Sequence, residues 1–205
     1  MTSIPFYLET GVGRLVLDIP YTRFMNSSGA LTYWSSLCTD ARELASILHD
    51  YPRVRHAPLE PLYVCARAVA SLDVHLVEDL STHWTWRGVV CAAFLCSLKP
   101  EKQYRTHLLS ARDHAPHSQW LIDLAIGEID KTPIDAYALH QERLRELRTV
   151  IEGIAAQRVP LRPGPQQREL SFLSSAAESI AKAYKLGGVA AARSAIDESP
   201  WKPFL

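Results

Sequence analysis

Hydrophobic positions recur along most of this chain at the three- and four-residue spacing of amphipathic helices, and residues 1–25 are the exception. There, Phe6-Tyr7-Leu8 and Leu15-Val16-Leu17-Asp18-Ile19 flank a Thr10-Gly11-Val12-Gly13 breaker, and Pro20 closes the stretch. Short apolar runs around glycines predict a β-hairpin or an extended arm.

After Asn26-Ser27-Ser28-Gly29 the helical period sets in, first over Ala30 to Cys38 and then over Asp40 to His49, where Asp40 and Glu43 have the spacing of a capping pair. Leu62, Cys65, Val69 and Leu72 give the next helix, Glu60 to Leu72, one buried stripe. The stretch from about Thr85 to Leu98 is apolar on nearly every side, which places it at the centre of the fold under other helices. Lys99-Pro100-Glu101 restarts a helix with proline in its first turn, and this helix runs to about Asp113 before Pro116. Ser118 stands where an N-cap belongs, ahead of Leu121, Ile122, Ala125, Ile126 and Ile129. Thr132-Pro133-Ile134-Asp135 then opens a long helix whose seam is Tyr137, His140, Leu144, Leu147, Ile151 and Ile154.

Pro160, Pro163, Gly164 and Pro165 make residues 159–167 irregular and the best linker, an exposed crossover. A helix from about Gln166 to Leu186 follows, Gly187-Gly188 stops it, and a short helix from Val189 to Asp197 comes last. The apolar tail Pro200 to Leu205 is unable to be helical, so it docks on the body or serves a partner, docking being the expected state. The expected architecture is mainly α: stacked antiparallel helix pairs, HEAT-like or an irregular bundle, behind the N-terminal hairpin or arm. As one domain, residues 1–205 divide into the extended segment 1–25, a helical body 26–158, the crossover 159–167, and C-terminal helices with the tail at 168–205.

Composition narrows the function classes. Hydrophobic residues at 47% against 21% charged residues match an ordered globule. Twenty-two basic residues balance 22 acidic ones, so no net field favours nucleic acid or an anionic membrane. The longest apolar run, Gly88 to Leu98, is far short of the roughly 20 residues that span a bilayer. The N-terminus lacks the pattern of a secretory signal, and Cys38, Cys65, Cys91 and Cys96 sit in apolar stretches without metal or redox spacing, so a reducing cytoplasm is the expected location.

Candidate chemistry is sparse. His107, His114 and His117 with Asp113 and Asp123 form the one cluster that suggests a metal or general base, and its spacing matches neither HExxH nor paired ExxH ligands. Gly11-Val12-Gly13-Arg14 has the look of a phosphate loop but lacks the further glycine and the lysine, so a turn is the better reading. In His83-Trp84-Thr85-Trp86-Arg87-Gly88, tryptophans and an arginine combine residue types enriched at binding hot spots. The plainer expectation packs Trp86 between helices, lays Trp84 over the helix entrance and pairs Arg87 with Glu78, Asp79 or Asp123. No cofactor is called for.

The run Trp86-Arg87-Gly88-Val89-Val90-Cys91-Ala92-Ala93-Phe94-Leu95, with the Lys99-Pro100 break and an amphipathic helix through Leu108-Leu109, resembles a unit of HEAT-type helical repeats. Trp120 begins a second unit, and the resemblance covers residues 84–157. Small cytoplasmic bacterial proteins of this pattern are similar to immunity proteins, which neutralise a dedicated toxin by steric binding. The resemblance implies a non-enzymatic protein whose partner is another protein, with contacts expected at Arg53, Arg55, His56, Trp84, Arg87, Arg162, Trp201 and Phe204. Two rival classes stand beside it: an enzyme built on the His107 to Asp123 groups, and a self-associating helical scaffold or adaptor.

Overall fold

A computed structural model describes residues 4–48, 50, 51, 53, 56–164 and 167–199, with the backbone alone for 167–173. The chain divides into two compact units, Tyr7–Arg162 and a second made of Met1–Phe6 with Pro163–Leu205. Among the described residues the regular structure is helical throughout, which agrees with the mainly α expectation.

The larger unit contains α1 (Glu9–Asp18), α2 (Ser27–Glu43), α3 (Ala45–Leu48), α4 (Glu60–Ser71), α5 (Val74–Thr82), α6 (Trp86–Leu98), α7 (Arg105–Ala111), α8 (Gln119–Asp130) and α9 (Ala138–Glu152). Helix α6 is its axis: every residue from Gly88 to Leu98 is buried, and α1, α4, α5, α7, α8 and α9 all pack against it. Around Phe94 the aromatic core is dense, with Phe24 at 4.4 Å between ring centroids and Trp34 stacked at 5.9 Å. Arg148 on α9 closes the C-terminal end of α6 by donating to the carbonyls of Ser97 and Leu98 at 2.8 and 3.0 Å, and it pairs with Glu128 on α8 at 2.8 Å. One cation thus satisfies two orphan carbonyls of α6 while joining three helices.

The hairpin or extended arm expected over residues 1–25 is not what forms there: Glu9–Asp18 is an α-helix. Val12, Leu15, Val16 and Ile19 are buried at i, i+3, i+4 and i+7, a helical stripe that outweighs the breaking tendency of Gly11 and Gly13. The glycines also allow close approach. A Cβ on Gly13 would stand 2.9 Å from the Trp84 ring. Ahead of α1, the Tyr7 N–H donates to Asp79 at 2.8 Å and its hydroxyl to Asp73 at 2.5 Å, fastening the segment to α5. Burial and these two carboxylates push the Tyr7 hydroxyl well above its ordinary pKa.

Other boundaries differ from expectation for local reasons. The break expected between Cys38 and Asp40 falls instead at Leu44: α2 runs unbroken through Asp40 to Glu43, with Asn26 as its cap accepting from Gly29 N at 2.7 Å, and α3 follows, while His49 lies outside the described residues. Ser118 makes no side-chain cap, and Pro100 precedes a short 3-10 turn, Lys102–Tyr104, before α7 begins. Helix α5 was not anticipated, although Asp73 caps it, accepting from Leu76 N at 2.9 Å. The crossover is irregular as expected but tied down: Val159 N donates to Ser71 Oγ at 2.7 Å, and Val159 and Leu161 pack on the core.

In the smaller unit α10 (Gln167–Asp197) is broken at Gly187 and Gly188. Gly188 has φ +67° and ψ −158°, a conformation open to glycine and strained for other residues. The stop expected at this pair is present.

Candidate docking surface

The break at Gly188 lets the segment 189–197 return along the segment before it. Ala177 and Ile196 line the same groove, whereas nineteen residues of straight helix would part them by roughly 28 Å. This open groove, about 520 Å³, is lined by Ile180, Ala181, Tyr184 and Ala192 besides those two, with Lys185 at its rim. Tyr184, Leu186 and Val189 are 57%, 80% and 60% exposed, and none of the side chains described between residues 174 and 199 is buried. The polar positions of 174–199 carry three acids, Glu178, Asp197 and Glu198, and three bases, Lys182, Lys185 and Arg193. Such a helix pair presents apolar surface without a net field.

The residues singled out in the sequence are dispersed over the larger unit. Arg53 and His56 are exposed before α4, and His56 borders an open pocket with Asp18, Tyr33 and Glu60. Trp84 and Trp86 exchange their expected places. Trp84 is half-buried against Gly13 and Gly88, while Trp86 is 36% exposed, its ring edge-on to Tyr21 at 5.6 Å. Close packing at Gly88, where a Cβ would stand 2.2 Å from Trp84 Cβ, draws Trp84 inward and turns Trp86 out. Arg87 does not take the expected acid. Its guanidinium lies over the Tyr21 and Trp86 rings at 5.3 and 5.7 Å, and Asp123 is held by Arg112 at 2.9 and 3.0 Å. Arg162 is exposed, and its carbonyl accepts from Leu8 N at 2.9 Å. Arg55, Trp201 and Phe204 lie outside the described residues.

The nucleophile candidates are shielded. All four cysteines are buried free thiols, and burial pushes Cys38 up to about 11 and Cys65 up to about 12, with Cys91 and Cys96 raised further. His114 and His117 are exposed and His107 is half-buried; among the described residues no group of three or more histidine, cysteine, aspartate or glutamate side chains is placed to hold a metal ion. His140 is buried, its Nε2 2.9 Å from the Ser27 carbonyl, among the rings of Trp34, Trp120 and Tyr137. Among the described residues no helix is long and apolar enough to cross a membrane.

The sequence pattern gave little reason to prefer α10 as the surface. Its apolar positions Leu170, Leu173, Ala177, Ile180 and Tyr184 look like one more core-facing stripe, and the exposure of Tyr184 emerges only from the fold. Compared with known protein families, curated proteins and solved structures, the chain matches none.

Proposed function

We propose that this chain is a non-enzymatic protein-binding module in which the broken helix α10 engages an apolar surface on another protein. One observation carries the reading: the helix pair at 174–199 has exposed apolar side chains and no buried one among those described. A short helix pair is marginal in water unless it buries an apolar face, so this one gains most of its stability when a partner covers it. The equal numbers of acids and bases on its polar positions favour a protein over an anionic membrane, for which a basic polar face is the usual complement. On the larger unit, Arg53, His56 and Arg87 are exposed and open to polar contacts of their own with a partner.

In its most concrete form the reading is an immunity protein that neutralises a cognate bacterial toxin in the cytoplasm by steric binding. The resemblance of residues 84–157 to HEAT-type units supports it. The test is light scattering on the purified chain mixed with the product of the neighbouring gene, using wild type and an Ile180→Asp/Tyr184→Asp variant. A one-to-one complex that the variant loses, with thermal stability of the larger unit unchanged, is the expected result. A complex indifferent to the double substitution overturns α10 as the docking element. If the neighbouring product is toxic on its own and co-expression restores growth, the immunity form stands; binding without protection leaves an adaptor.

A further inference from the structure

Within the larger unit a second concavity, about 400 Å³, opens beside the first turn of α1. Its wall brings together Arg14 of α1, Arg67 of α4 and Arg162 of the crossover, with Thr10 and Pro160, and a single acid, Asp18. Three guanidinium groups against one carboxylate leave a net positive charge of two in a space the size of a small-molecule site. Among the described residues Arg14, Arg67 and Arg162 are in no ion pair, so no protein carboxylate neutralises them directly.

Arg67 is the most informative of the three. Its Nε is buried without a hydrogen-bond partner, and its guanidinium carbon lies 5.8 Å from the centre of the Tyr63 ring. The half-buried Arg67 side chain lines the pocket beside Arg14 and Arg162, so its charge acts on whatever enters there. The α1 terminus borders the same space: Leu8, its N-cap residue, supplies no side-chain acceptor, Thr10 and Gly11 of the first turn form part of the wall, and Glu9 is the acid of that turn. Gly11 lets the crossover approach closely, since a Cβ there would stand 3.2 Å from the Leu161 side chain.

The geometry points to a binding site for a small phosphorylated molecule, its phosphate monoester held by Arg14, Arg67 and Arg162 at the α1 terminus and its body against Leu8, Val159 and Pro160. A phosphate dianion matches the net charge of two, and guanidinium forks suit its oxygens. The site goes beyond the protein-binding reading and does not depend on α10.

Calorimetry on the full chain with phenyl phosphate as the probe tests it, with inorganic phosphate and benzoate alongside. The expected result is saturable one-to-one uptake of phenyl phosphate, stronger than that of benzoate, and roughly tenfold weaker after Arg14→Gln or Arg67→Gln. Arg14 is exposed, so that variant keeps the fold even if Arg67→Gln does not, and Arg67→Lys retains the charge without the fork and falls between. Arg105→Gln, on a surface pair with Asp130, leaves uptake unchanged. Absence of saturable uptake at millimolar probe, or equal affinity in all variants, overturns the site. Binding of heparin with no uptake of phenyl phosphate overturns the small-molecule assignment and makes the patch a polyanion surface.

Discussion

Helices α6 and α10 both carry apolar residues and have opposite fates, α6 being apolar nearly throughout and α10 interleaving its apolar positions with charged and polar ones. From Gly88 to Leu98 every residue of α6 is buried beneath six other helices, while α10 has no buried side chain among those described. The burial of each follows how its apolar residues are distributed. In α6 the apolar residues encircle the helix and neighbours cover each side; in α10 they are gathered by the Gly187-Gly188 break into an exposed groove, the feature on which the proposed partner contact rests.

The sharpest way to break that contrast is to empty the α6 core. Phe94→Ala removes a ring in contact with Phe24 and Trp34 and is expected to lower stability by about 4 kcal/mol, measured by urea unfolding. Glu128→Ala strips the acid from Arg148, half-buried at the end of α6, and should lower it by about 3 kcal/mol. Gly88→Ala introduces a Cβ 2.6 Å from the Leu80 carbonyl oxygen and 2.2 Å from Trp84 Cβ, and should lower it by about 2 kcal/mol.

Alkaline titration sharpens the same picture. The Cys38 and Cys65 thiols have an ordinary value of 9.0 and folded values of about 11 and about 12, so the folded state holds their protons longer than the unfolded chain. Their contribution to stability is complete below pH 9 and is lost as pH rises through the folded values, which unfolding midpoints across that range will register. At the small end, Tyr184→Ala in the uncomplexed protein should change the unfolding free energy of the larger unit by less than about 0.5 kcal/mol, since its side chain is 57% exposed.

Much of the fold was legible where a helix carries its own signals. The fully apolar run at 86–98, the stripe at 60–71 and the Gly187-Gly188 stop correspond closely to α6, α4 and the break in α10. The N-terminal segment was misleading because Gly11 and Gly13 are read locally as breakers, whereas Leu161 and Trp84, far along the chain, need the space they leave. Helix α5 is short, and its Asp73 cap is a lone signal between two longer apolar stripes. The arginine pocket was less legible still. Arg14 stands in a glycine segment read as a turn, Arg67 is one cation within an apolar helix, and Arg162 follows a proline, so only tertiary structure brings them together.

Hydrogen exchange on the 205-residue chain, alone and with the proposed partner, tests the central claim most directly. The account predicts amides of α6 and α8 that exchange only through global unfolding, amides of 174–197 that exchange near free-peptide rates in the protein alone, and strong slowing of that segment in the complex. Protection of 174–197 equal to that of α6 in the absence of any partner would contradict it, because the helix pair would then hold its structure without a docking surface supplied by another protein.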